Sequence, residues 1–185
     1  MAYSTVRRVL PHEYSKYRKH LHKLDEASKY LRFGYHIRDE MINQLCDRFE
    51  SNPDKHVLFC IENDDLDFIA VGHVSLEGEM ELAFSVLKGY QGQGMGNALM
   101  KRIIQWCRTH SKLKGSMVCL TSNGAIKHLC LKHGIHIHSE HGETQADIEL
   151  DSPNITTYVD EATDRNLAVI DYVGKRMNKP WTILS

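Results

Sequence analysis

The chain has 185 residues, 42% hydrophobic and 25% charged, a balance that suits one soluble globular domain with a single sizeable core. Its net charge of -1 gives no overall field to draw it to nucleic acid or to an anionic membrane. No apolar run is long enough to cross a bilayer, residues 1–4 carry no signal-peptide h-region, and the five cysteines show no C-x-x-C spacing; these observations exclude a zinc or disulfide framework and lead us to expect free thiols in a cytoplasmic protein.

In chain order, residues 5–10 read as a short strand that Pro11 stops. Tyr14, Tyr17, Leu21 and Leu24 fall at helical spacing within residues 12–24, as do Met41, Ile42, Leu45 and Phe49 within 38–49. Residues 56–62 form a nearly continuous apolar run, hence a central strand. Asn63, Asp64 and Asp65 turn the chain into a second strand at 68–76, and Glu77, Gly78 and Glu79 into a third at 80–87. Beyond a glycine-rich turn, Leu99, Met100, Ile103, Ile104 and Cys107 mark one face of a helix over 97–109. A strand at 116–120 follows, then a helix at 123–132 closed by Gly134 in left-handed geometry, then strands at 135–139 and 144–150. After a loop containing Pro153, residues 160–177 pattern as a helix with Ala162, Leu167, Ile170, Val173 and Met177 on its apolar face. The sum is a mixed α/β (α+β) fold, antiparallel early and with crossover helices later. It divides into one domain over residues 1–151 and an extension over 152–185, whose helix packs on that domain or across a homodimer.

The turn at residues 89–96 carries four glycines, Gly89, Gly92, Gly94 and Gly96, between a strand and a helix. Glycine lets several backbone N–H groups converge with no side chain in a ligand's way. The helix N-terminus adds roughly half an elementary positive charge. A phosphate or pyrophosphate is therefore expected here. A P-loop is excluded, since no Gly-Lys-Ser/Thr occurs, and the dinucleotide fingerprint fails at Asn97, where a small residue belongs.

Gln91, Gly94 and Gly96 match Q/R-x-x-G-x-G/A, and the stretch resembles motif A of the GNAT acyltransferase superfamily. Residues 123–135, from Asn123 through Gly134, resemble its motif B. Residues 26–33 and 80–86 are similar to the GNAT domain of Pat-type bacterial protein lysine acetyltransferases, although the synthetase or cyclic-nucleotide domain those proteins often carry has no counterpart in these 185 residues. The resemblance implies a GNAT fold, with a mostly antiparallel central sheet flanked by helices and a splayed cleft for acetyl-CoA. It implies that backbone groups of Val86 and Leu87 hold the pantetheine arm. The amides of the turn that Gln91 opens, at Gly92, Gln93, Gly94, Met95 and Gly96, would bind the pyrophosphate together with Asn97, and Asn123 would reach the pantetheine or the cofactor's far end. The implied activity is N-acetyl transfer by direct attack of a primary amine, from a protein lysine or a small molecule.

A lysine amine has a pKa near roughly 10.4, so direct attack needs a proton acceptor. Glu81, inside an apolar strand and matching the glutamate of the Pat-type segment, is the candidate base, and partial burial would raise its basicity. A solvent-facing strand carboxylate is the other reading of Glu81, and Glu77 and Glu79 read as turn residues. Many GNAT enzymes place a tyrosine in the motif B helix to protonate the leaving thiolate; here Cys130 stands after Leu129, as a weak acid or a small core residue. His133, His136, His138 and His141 cluster, yet two alternating histidines on a strand read as a polar face, and no metal is expected. His138 then lines an acceptor pocket, Arg32 orients an acidic acceptor group or is salt-bridged or solvated, and His20 and His22 are solvated. The rival reading is a catalytically silent acyl-CoA-binding sensor or interaction module.

Overall fold

The computed structural model describes residues 5–140 and 142–178, so His141 and residues 1–4 lie outside the described residues. The strands are β1 Arg7–Arg8, β2 His56–Glu62, β3 Phe68–Ser75, β4 Met80–Val86, β5 Lys114–Leu120, β6 His136–Glu140 and β7 Glu143–Glu149. They form one sheet in the order β1-β2-β3-β4-β5-β7-β6, in which only β4 and β5 run parallel. The helices are α1 Tyr14–Lys23, α2 Glu26–Phe33, α3 Asp39–Ser51, α4 Met95–Thr109, α5 Gly124–Lys132 and α6 Ile155–Asn178.

Strand β2 reads as continuously apolar because helices cover both of its faces, although it lies second from one edge of the sheet and not at the centre, where it was expected. Val57, Phe59 and Ile61 of β2 join a core with Leu99, Met100 and Ile103 of α4. Leu58 and Cys60 point the other way, into a core with Tyr17 and Leu21 of α1 and Ile42 and Phe49 of α3. On β5 only alternate residues, Gly115, Met117 and Cys119, are buried, so that wing of the sheet is packed on one face. All five cysteines are buried and free. No described helix is long and apolar enough to cross a membrane.

Three helices precede β2, not the two expected. The extra one, α2, starts at Asp25, whose carboxylate accepts the Ser28 N–H at 2.7 Å, and ends at Gly34 with φ +80°. Only Lys29 of its eight residues is buried; Ala27, Tyr30 and Leu31 do fall at helical spacing, but they stay exposed. The first strand also shrinks to two residues, though Val9 N–H still donates to the Leu58 carbonyl at 2.8 Å.

Helix α6 starts earlier than expected, where Asn154 Oδ1 accepts the Thr157 N–H at 2.9 Å. Its expected apolar face is turned outward: Ala162, Leu167, Ile170, Val173 and Met177 are all exposed. The surface beneath the helix is charged, so its polar side meets the domain. Glu161 takes both ends of Arg102 at 2.5 and 2.9 Å, and Lys175 Nζ donates to the Glu62 carbonyl at 3.1 Å.

Candidate functional site

Strands β4 and β5 pair at only two positions, Met80 with Gly115 and Glu81 with Ser116. Beyond them the strands part, leaving residues 82–86 of β4 without a β5 partner. The gap opens into a cleft of about 470 Å³, walled by Phe84, Ser85 and Val86 of β4, the glycine turn, and Asn123, Ile126 and Leu129 at α5.

At the head of the cleft the chain makes its tight turn. Gly92 and Gly94 take φ +74° and +82°, the left-handed region, and a Cβ on either would meet no atom within 4 Å, so the space beside them is open. Gly94 is the N-cap of α4 and offers no side-chain cap. The first backbone bond of the helix runs from Ala98 N–H to the Gly94 carbonyl, so the amides of Met95, Gly96 and Asn97 ahead of it lack helical partners. Gln91 braces the turn by donating from Nε2 to the Val86 carbonyl at 3.0 Å and to Ser28 Oγ at 3.2 Å. A ring of left-over donors at a helix N-terminus, with no side chain in front, is chemically a diphosphate site. The unpaired edge of β4 that leads to it can take an extended amide chain as an added strand.

Of the residues expected from sequence, Val86, Gln91, Gly92, Gly94, Met95, Gly96, Asn97 and Asn123 line this cleft. Three expected residues do not. Leu87 turns its N–H to the Ile69 carbonyl at 2.9 Å, and Gln93 folds its amide back onto the Gly89 carbonyl at 3.2 Å. Glu81 lies at the base, in the last β4–β5 pair, and is exposed; the partial burial expected of it is absent, because α2 covers the Ser85 end of β4 instead. Asn123 Oδ1 caps α5 by accepting the Ile126 N–H at 3.3 Å. Asn97 Oδ1 meets His133 Nε2 at 3.1 Å.

A sequence profile of the Acetyltransferase (GNAT) family matches residues 19–135. The chain belongs to the GNAT acetyltransferase family. Among solved structures, the GNAT domain of S. lividans PAT is 20% identical with a TM-score of 0.65, the match covering 78% of this chain and 89% of that one. For yncA of Salmonella typhimurium, solved with its cofactor acetyl-CoA, the identity is 14%, the TM-score 0.62 and the coverage 82% and 98%. PaiA N-acetyltransferase from Thermoplasma acidophilum, in complex with coenzyme A, is 10% identical with a TM-score of 0.58, over 78% and 97%. No curated protein sequence matches. These likenesses show the fold alone.

Sequence reasoning missed the group behind the GNAT cleft. His20, expected to be solvated, is 1% exposed. Its Nδ1 lies 2.9 Å from the Phe68 carbonyl, which only an N–H can satisfy, so Nε2 accepts the Ser85 hydroxyl at 2.8 Å. Burial pushes its pKa down to about 4, against the opposing pull of the Phe68 carbonyl, so the ring is neutral. The signal lay in strand parity: Ser85 shares a face with Glu81 and Ala83, which looks toward the α1–α2 layer. Arg32 also walls the cleft and has no carboxylate partner among the described residues, so the salt-bridged reading of it does not hold. Cys130 is a buried core residue whose thiol burial pushes up to about 11. His136 and His138 are exposed on β6, with His138 Nδ1 3.5 Å from Asp147. Among the described residues no three His, Cys, Asp or Glu side chains converge as a metal would require.

Proposed function

We propose that the protein is an N-acetyltransferase that takes acetyl-CoA as donor and a primary amine, on a protein lysine or a small molecule, as acceptor. The observation that carries this reading is the parting of β4 and β5 after Glu81, which opens directly onto the unpaired amides at the start of α4. Acetyl-CoA would supply an activated acetyl thioester. Gly92 through Asn97 hold its diphosphate, and the free edge of β4 up to Val86 orients the pantetheine amides. Glu81, at the base of the opening, takes the amine's proton directly or through one water. Ligands named for the structural neighbours support the choice of donor: acetyl-CoA for yncA and coenzyme A for PaiA.

Thiol release from acetyl-CoA over a panel of primary amines and lysine peptides tests the reading. Turnover with any acceptor supports it. Tight CoA binding without turnover on any acceptor overturns it in favour of the sensor reading, which Cys130 in the place of a tyrosine favours. The proposal extends to a cytoplasmic homodimer joined through the outward apolar face of α6, around Ile170 and Val173. Sedimentation velocity showing a monomer at micromolar concentration removes that element.

A further inference from the structure

A second cavity, of about 330 Å³, opens between β1, α4 and α6 and shares no lining residue with the acyl-CoA cleft. It combines aromatic faces with guanidinium groups. Trp106 stacks on His110 with ring centres 4.3 Å apart, and the Arg8 guanidinium lies 5.8 Å from the Trp106 ring centre. That of Arg7 lies 4.6 Å from the ring of Tyr172, across the cavity on α6.

Charge around the cavity does not balance. Arg7 is answered by Glu13 and Glu62, and Arg102 by Glu161. Arg8 and Arg165, which also line the cavity, have no carboxylate partner among the described residues. Two buried nitrogens add to the imbalance. Trp106 Nε1 and Arg102 Nε, on side chains only 5% exposed, find no hydrogen-bond partner among the described residues. Native proteins keep few buried donors unpaired. The two buried nitrogens are donors, and the two arginines are solvent-exposed cations with no carboxylate beside them.

We propose that this cavity binds a small planar aromatic anion, its ring against Trp106 and Tyr172 and its acid group on Arg8 and Arg165. His110 and Arg8 already lie on Trp106 and Arg7 on Tyr172, so a flat ring enters against the exposed edges of this stack, and the two guanidiniums without a carboxylate grip an acid group. The volume lies at the lower end of small-molecule sites, which limits the ligand to one or two fused rings.

The test uses 1-naphthoate as probe and follows the tryptophan indole N–H cross-peak by NMR in a Trp181→Phe background, where Trp106 alone contributes. Saturable movement of that peak with 1-naphthoate, but not with neutral 1-naphthalenemethanol or with inorganic phosphate alone, is the expected result. In the double variant Arg8→Met, Arg165→Met the affinity falls at least about tenfold. Both arginines are exposed, so the fold tolerates their loss, and CoA binding should stay unchanged as a control. An unmoved peak at millimolar probe overturns the proposal. So does equal binding by the double variant, or equal response to the neutral compound.

Discussion

Gly115→Ala probes the junction on which the cleft depends. Gly115 faces Met80 in one of the two β4–β5 pairs. A Cβ at this position would lie 2.3 Å from the Met80 carbonyl oxygen, 2.7 Å from Met80 Cε and 2.9 Å from Met80 Cβ. The thioether end can swing away; the carbonyl oxygen moves only with its strand. An ordinary C···O approach is about 3.3 Å or more, so the strands must separate by about 1 Å. Overpacking of this kind costs about 1–3 kcal/mol, and a lost ladder bond adds about 1 kcal/mol. The expected destabilisation is thus about 2–4 kcal/mol, a fall in Tm of roughly 4–16 °C for a chain of this length. The same separation widens the cleft at its base, so CoA affinity should weaken as well. Calorimetry gives the stability, amide exchange along β4 and β5 localises the damage, and titration with CoA reads the cleft. A Tm within about 1 °C of wild type, with unchanged protection of those amides, would refute the argument that this close approach fixes the strand junction.

Gly96 lies inside the first turn of α4, where a Cβ would make only an ordinary 3.7 Å contact with Leu129 Cδ2; Gly96→Ala should leave Tm unchanged and weaken CoA binding at least about tenfold, and equal affinity by calorimetric titration would count against the diphosphate site. Gly94→Ala should do both kinds of harm, because its φ of +82° costs an alanine about 1–2 kcal/mol of strain. Glu81→Gln should lower kcat by about 10²–10⁴-fold with CoA affinity within about twofold, whereas equal loss of both would make the residue structural. His20 is held neutral in the fold, its pKa lowered from 6.5 to about 4 by burial, so between those values the unfolded chain binds the extra proton. Stability should therefore be full above pH 6.5 and fall as the pH drops toward 4, by up to about 3 kcal/mol from this group. Urea midpoints across that range should depend less steeply on pH in His20→Gln, and an unchanged slope would exonerate the residue.

Most of the sheet was legible because its strands are short apolar runs bounded by turn residues. The run at residues 56–62 coincides with β2, and Asn123 and Gly134 stand where they were expected at the ends of α5, as its N-cap and as a left-handed residue with φ +69°. The glycine turn was legible for the same reason: left-handed backbone next to open space leaves few alternatives to glycine. Helix α2 was not, since its stripe of Ala27, Tyr30 and Leu31 spans little more than one turn. The outward turn of α6 was hidden too, because periodicity identifies an apolar face but not what lies opposite it, and here Arg102 and Glu62 on the receiving surface select the polar side. His20 stands on the buried stripe of α1, three residues after Tyr17 and four before Leu24, so its burial had a local sign; its partners, Phe68 and Ser85, 48 and 65 residues away, did not.

Two polar groups on one face of β4, Ser85 in the cleft wall and Glu81 at the strand junction outside it, stand in opposite conditions, and this constrains the proposed chemistry. From Glu81 to Ser85 along one face is about 13 Å at 3.3 Å per residue, so the two cannot act on one atom. Ser85 is already committed as a donor to an imidazole whose pKa burial holds near 4. So weak a base orients the hydroxyl without withdrawing its proton. In the proposed reaction proton acceptance is assigned to Glu81, which the free protein leaves in solvent. Desolvation is what would raise a carboxylate's basicity, and no helix supplies it at that end of β4. In that proposal the cover comes from the acceptor, lying across the open face of β4 and β5 where Ser116 pairs with Glu81. On this reading the base is completed only in the ternary complex, and acceptors that cover the strand junction are favoured over small amines that leave it wet.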